Sequence, residues 1–215
     1  MIMKKIANLL LIAGVLVLLY PLADRACTYY WQQKLFNEWA AGAGVEKKLS
    51  AENGNFAAGE TAGALYDGET EPSNSVWGLE ITPLGILKIE KIELRLPILK
   101  GSSLANLKIG AGLMQDTAEP GAFGNTVLTA HRSYTYGRFF NRLDEIETGD
   151  EILIATREST YQYIVYDKLI VEPTDTAIIK GGDREKILTL VTCHPVHKST
   201  HRLIIQAKLA GETAP

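Results

Sequence analysis

Apolar residues fill positions 6–22 almost without a break, "IANLLLIAGVLVLLYPL", and Asn8 is the one strongly polar residue among them. Seventeen helical residues rise roughly 25 Å, the short end of what crosses a bilayer. Lys4 and Lys5 precede the run. A cleaved signal peptide and an uncleaved anchor both start this way. The following "ADRACTYYW" has no small-x-small site behind the apolar core, and Arg25-Ala26 before Cys27 does not make a lipobox. The pattern therefore predicts an anchor. Lysines ahead of the span place the N-terminus in the cytoplasm and the remainder outside.

The pattern then loosens. Tyr29, Tyr30, Trp31, Leu35, Phe36 and Trp39 fit helical spacing. They suit either a membrane interface or an amphipathic helix packed on a domain. Residues 42–75 turn to Gly, Ala, Glu, Asn and Ser and read as a flexible linker. The expected organisation is an anchor over 1–23, a juxtamembrane helix and linker over 24–78, and a folded domain over 79–215.

From Leu79 onward the period shortens to two. "GILKIEKIELRLPILKG" alternates apolar and polar residues, with a turn or bulge near Glu90-Lys91. Further strands are predicted over 125–130, 151–156, 161–171, 186–193 and 202–209. Short helices are predicted over "SLANLKIG" and "YGRFFNRLDEI". Strands this short, separated by Gly, Pro, Asp and Thr clusters, predict an all-β domain closed into a barrel. The connections are too short for repeated βαβ units.

Composition narrows the function. A chain of 215 residues that is 46% hydrophobic can bury a sizeable core. A net charge of -3 gives no electrostatic case for nucleic acid. No phosphate-binding glycine loop or dinucleotide fingerprint occurs. Two cysteines, Cys27 and Cys193, make neither a disulfide framework nor a four-cysteine metal site.

The chemistry gathers in "LTLVTCHPVHKSTHR", which holds Cys193 and three of the four histidines. A metal site is one reading, since His197 and His201 are spaced H-x3-H. It lacks a C-x2-C or H-E-x-x-H partner, and Pro195 prevents a helix from aligning the ligands. A buried inert thiol is another. "LTLVTC" suits an interior strand, with Leu188, Leu190 and Thr192 on one face and Thr189, Val191 and Cys193 on the other. The third reading is a nucleophile, because Cys193 ends its strand where loops build sites. A nucleophilic thiol needs a base or cation and an electrophilic helper. His131 also ends an apolar strand, "NTVLTAH". Arg202 opens the last strand, nine residues past Cys193, and would face the thiol if the two strands pair.

These segments resemble one family. "LTLVTC", "HRLIIQAKL", "TAHR" and "FFNRLDEIETGDEI" are similar to the sortases, cysteine transpeptidases of Gram-positive cell surfaces, from about residue 85 to 210. "LKIEKIELRLPILKG" and "AEPGAFGNTVLTAHR" resemble that family's first strands and the approach to its histidine. The resemblance implies an eight-stranded sortase barrel behind an N-terminal transmembrane helix. It implies Cys193 as nucleophile, His131 as catalytic histidine and Arg202 as catalytic arginine. It implies cleavage of an L-P-x-T-G-type sorting signal between Thr and Gly through a thioacyl-enzyme. The implied partners are surface proteins bearing such signals and an amine of a cell-wall precursor, with no cofactor and no metal. The expected location is the cell membrane, single-pass, with the catalytic domain outside.

The entry strand looks most like class D. "STHRLII" and the long "HRSYTYGRFF" loop are similar to the pilin-polymerising class C, but "DGETEPSNSVWGL" lacks that class's Asp-Pro-aromatic lid. A binding module on a sortase-like barrel is the non-enzymatic alternative, and an intact His131, Cys193 and Arg202 argue against it. Thr192, Tyr134, Tyr136 and His194 are candidate substrate contacts. His194, His197 and His201 are expected around the mouth as loop residues. Asp116 and Glu119 are expected to be solvated acids, and Cys27 a bystander.

Overall fold

The computed structural model describes residues 2–52, 75–76, 79–80, 83–179 and 184–214. One helix, α1 (Ile2–Glu52), takes in the apolar run and the juxtamembrane segment together. The side chains described between Leu10 and Leu22 are exposed all round, and α1 holds, over Leu10–Gly42, a segment long and apolar enough to cross a membrane. A helix apolar on every side, yet unburied by protein, is suited to lipid.

Beyond the run, α1 becomes one-sided. Thr28, Leu35 and Trp39 are buried, and Trp31 packs with Leu35 against Leu99 and Ile109 of the barrel. The Gln32 amide donates to the Ile109 carbonyl at 2.9 Å. Tyr29 and Tyr30 stay exposed. The packed-helix reading therefore holds for Trp31, Leu35 and Trp39. The stretch read as a linker departs from expectation at its start, because α1 continues to Glu52. Of the rest of that stretch, residues 53–74 lie outside the described residues.

A two-residue hairpin, β1 (Ser75–Val76) with β2 (Leu79–Glu80), precedes the barrel. The barrel strands are β3 (Pro83–Ile89), β4 (Leu94–Lys100), β5 (Ala111–Leu113), β6 (Gly124–Thr129), β7 (Glu151–Ala155), β8 (Thr160–Val171), β9 (Lys186–His194) and β10 (His201–Thr213). They close in the order β10-β8-β7-β3-β4-β5-β6-β9. Neighbours are antiparallel except β4 with β5 and β6 with β9. The predicted turn at Glu90-Lys91 is a 3-10 turn whose last residue, Ile92, is buried, and Glu93 ends it at φ 53°.

Alternation along the strands fills the barrel. Leu87, Ile89, Leu96, Leu128, Ile152, Tyr163, Leu188, Leu190 and Ile205 share one apolar core. Two predicted helices come out differently. "SLANLKIG" forms only the short α2 (Leu104–Leu107), with the Ser103 hydroxyl accepting from the Asn106 N–H, and leads into β5. "YGRFFNRLDEI" forms no α-helix: Phe139 sits at φ 49° and a 3-10 turn covers Leu143–Glu145. Phe139, Phe140, Leu143 and Ile146 all enter the core. Their spacing imitates a helix face, but irregular backbone delivers them.

Candidate active site

The register of three strands places the reactive side chains. In the antiparallel pair of β9 and β10, Cys193 and Arg202 are direct partners. In the parallel pair of β6 and β9, Thr129 is level with Val191. Two residues further along both chains, His131 comes level with Cys193. Leu128, Ala130, Leu188, Leu190, Leu203 and Ile205 belong to the interior core. The alternate positions, His131, Cys193 and Arg202, therefore fall on the outer face. Thr192 keeps the interior phase. It is 2% exposed and its hydroxyl donates to the Ala130 carbonyl at 2.8 Å.

His131 and Cys193 line one pocket of about 330 Å³, together with Arg132, Ser133, Tyr134, Arg138 and Phe139. Lys108, with Asp24 and Thr28 of α1, completes the lining. The Arg25 guanidinium reaches the Thr135 hydroxyl at 3.4 Å, so α1 also touches the loop after His131. Cys193 is half-buried and Cys27 exposed, and both are free thiols. The His131 ring stands at the surface, yet desolvation by its surroundings pushes its pKa below the ordinary imidazole value.

Arg202 is half-buried. Its Nη1 donates to the carbonyls of Ser199 and His201, at 3.2 and 2.9 Å. These bonds hold the β9–β10 loop; Arg202 is the register partner of Cys193 but is not among the residues that line the pocket. Tyr134 lines the pocket and stacks on the His197 ring, with centroids 5.2 Å apart. Tyr136 is exposed and lies under the Arg142 guanidinium, away from the pocket lining. The His201 Nδ1 lies 2.9 Å from the Thr200 hydroxyl. Among the described residues no group of three or more His, Cys, Asp or Glu could hold a metal ion.

His194 is placed differently from a groove residue. Its Nδ1 is 2.7 Å from Nη1 of Arg132. The Arg132 side chain is 3% exposed, and its Nη2 pairs with Asp144 at 2.8 Å. Arg132, Asp144, Asp24 and Thr28 are the residues that the sequence reasoning passed over. Arg132 carried a signal: it is a charged residue in the inward phase of a strand that ends beside a candidate catalytic histidine. Asp24 and Thr28 carried none, because the docking of α1 is a tertiary fact.

The model of the Sortase domain matches residues 87–210. Sortase D of Bacillus subtilis (strain 168) is 34% identical over 127 residues, covering 58% of this chain and 62% of that protein. Sortase A of Bacillus anthracis is 29% identical over 131 residues, covering 61% of each. The chain thus spans under two thirds of the length of these two curated relatives. Among solved structures, a Clostridium perfringens Sortase D5 transpeptidase superposes with a TM-score of 0.63 at 26% identity, covering 85% of this chain and 99% of that one. Sortase C of Streptococcus pneumoniae superposes with a TM-score of 0.59 at 32% identity, covering 62% of this chain and 71% of that one.

Proposed function

The chain belongs to the sortase family, and on that premise we propose that it is a membrane-anchored cysteine transpeptidase acting on a sorting signal of the L-P-x-T-G type. The observation that carries this reading is the shared level of the three groups. Cys193 pairs with Arg202 across β9 and β10, and His131 and Cys193 line one pocket.

The chemistry follows from those positions. The Cys193 thiolate attacks the Thr carbonyl carbon of the signal, and the carbonyl oxygen gains the negative charge. Arg202, always protonated and planar, stabilises that oxyanion or holds the neighbouring peptide carbonyl. Imidazolium at His131 gives its proton to the Gly nitrogen as the carbon–nitrogen bond breaks, leaving a thioester on Cys193. An amine then attacks the thioester, His131 takes its proton, and the carbon–sulfur bond breaks. A new amide leaves and the thiolate returns. The reacting form needs Cys193 ionised and His131 protonated at once. Desolvation at His131 opposes its protonation and so works against this form.

Likeness to sortase D of Bacillus subtilis and to the Clostridium perfringens Sortase D5 transpeptidase favours a class D enzyme, and a cell-wall amine is the acceptor proposed for it. Likeness to the sortase C of Streptococcus pneumoniae, whose structure was read for pilin substrate specificity, supports a lysine of another protein as the second acceptor to test. The experiment is intact-protein mass spectrometry with a small library of sorting peptides, with and without each amine. We expect a thioester mass that maps to Cys193 and that the productive amine discharges. No adduct with any peptide, from folded protein, would overturn the reading.

A further inference from the structure

The parallel ladder of β6 and β9 ends at Thr129 and Val191, with one further backbone bond from the Ala130 N–H to the Val191 carbonyl at 3.3 Å. His131 and Cys193 lie beyond that point. Two side-chain bonds join their chain segments there, one on each side of the reactive level. The first is Thr192 to Ala130. The second is Arg132 to His194, between the residues that directly follow His131 and Cys193.

We infer that the bond from Arg132 to His194, backed by Asp144, is a clamp that fixes the separation of His131 and Cys193, making Arg132 and His194 positioning residues for the transpeptidation.

The donor inventory supports this. Arginine has five N–H donors and no acceptor. At 2.7 Å from Arg132 Nη1, His194 Nδ1 must therefore be the acceptor. That fixes a neutral ring with its hydrogen on Nε2. A protonated ring would turn an N–H toward a buried cation and break the bond. The charged or titratable groups around His194 are Arg132, Asp144 and its register partner His201. Asp144 lies in the loop after Phe140 and pairs with the opposite side of the guanidinium. The pair thereby holds the cation in place while Nη1 reaches across to β9. The backbone supports the same site: Arg132 bridges Phe139, and the Phe140 N–H donates to the His131 carbonyl at 3.1 Å. Arg132 and His194 occupy the inward phase, beneath the face that carries the reactive pair. They act through their neighbours and not on the substrate.

The inference rests on the transpeptidase reading, so its test has one arm that needs no activity. In that arm, nitrogen-15 NMR of the folded wild-type protein at pH 7 reads the tautomer of His194. We expect neutral Nε2–H with an accepting Nδ1, and a mixed population in Arg132→Met. A wild-type ring with its hydrogen on Nδ1, or one indifferent to Arg132→Met, overturns the clamp. The second arm measures sorting-peptide cleavage by His194→Ala and His194→Asn, each checked by melting temperature. An asparagine oxygen can stand where Nδ1 stood and does not titrate. We expect His194→Ala to lower kcat about 10- to 100-fold with little change in KM, the scale of losses from misplacing a reacting group. His194→Asn should recover most of it. A His194→Ala enzyme as fast as wild type, or an Asn variant no better than Ala, overturns the proposal. Both readouts at His194 stand even if Arg132→Met fails to fold. A wild-type enzyme that cleaves nothing fails the transpeptidase reading alone, while the NMR arm still decides the clamp.

Discussion

Arg202 shows how much a single side chain can be asked to do at this site. A guanidinium presents a planar fork of donors that an ammonium cannot copy. Here one nitrogen of that fork already bonds the Ser199 and His201 carbonyls, which leaves the others for a substrate oxygen. Arg202→Lys keeps the charge but cannot hold the loop and an oxyanion together. Losing one oxyanion donor costs about 3 kcal/mol, roughly a hundredfold in rate. We expect a kcat loss of that order with folding intact. His131→Ala should cost roughly two to four orders of magnitude, the usual contribution of positioned proton transfer. In wild type, the acid limb of kcat/KM should lie below the ordinary imidazole range, because desolvation by its surroundings lowers the His131 pKa and the active pair forms only after one proton has left. Steady-state cleavage across pH checks all three. An acid limb above pH 7 would mean that His131 is not the proton carrier. His197→Ala and His201→Ala should keep most activity, since neither ring lines the pocket. The pairing of Cys193 with Arg202 was legible, because the two stand at facing ends of consecutive strands nine residues apart. The Arg132–His194 bond was not legible. It depends on the distance between two strand ends that the sequence separates by some sixty positions.

At the scale of elements, α1 is both more and less than a tether. Its docking stripe meets Leu99 and Ile109 on the barrel, and its Asp24 and Thr28 reach the pocket. Yet, among the described residues, the main core cluster draws only on the barrel and its loops. We therefore expect a shortened chain beginning at Ser75 to fold, as the alternation of its strands implies. It should melt at a lower temperature than a chain beginning at Asp24, because it exposes the surface that Leu35 and Trp39 cover. Burying a side chain of that size contributes about 1.5–3 kcal/mol. Calorimetry on the two chains checks this, and equal melting temperatures would show the docking to be energetically idle. The strands were legible to within a residue or two, save that β10 runs four residues past its predicted end, to Thr213, because apolar runs bounded by turn residues mark them. The three-residue β5 was not, since Ala-Gly-Leu is too short to show a period. The 139–146 loop misled for the opposite reason. Four apolar anchors at helix-like spacing also suit a compact loop that pins itself into a barrel end, and Phe139 with φ 49° breaks the helix from within.

The whole molecule joins a lipid-suited helix to a barrel whose pocket lies only a few residues beyond it. Lys4 and Lys5 precede the apolar run and the run itself carries no charge, so by the positive-inside rule we expect the N-terminus in the cytoplasm. The run ends at Leu22, and Thr28 already lines the pocket. Six helical residues rise about 9 Å, so in the proposed topology the pocket would stand close to the membrane surface on the outer side. Cys27 offers a built-in reporter for this arrangement. It is exposed on α1, five residues past Leu22, and belongs to neither the pocket nor the core. In the Cys193→Ala protein it is the one remaining thiol. A membrane-impermeant maleimide added to wall-stripped intact cells should label it without permeabilisation. Labelling that needs permeabilised cells would put the barrel in the cytoplasm, out of reach of any wall amine, and would overturn both the topology and the acceptor chemistry built on it.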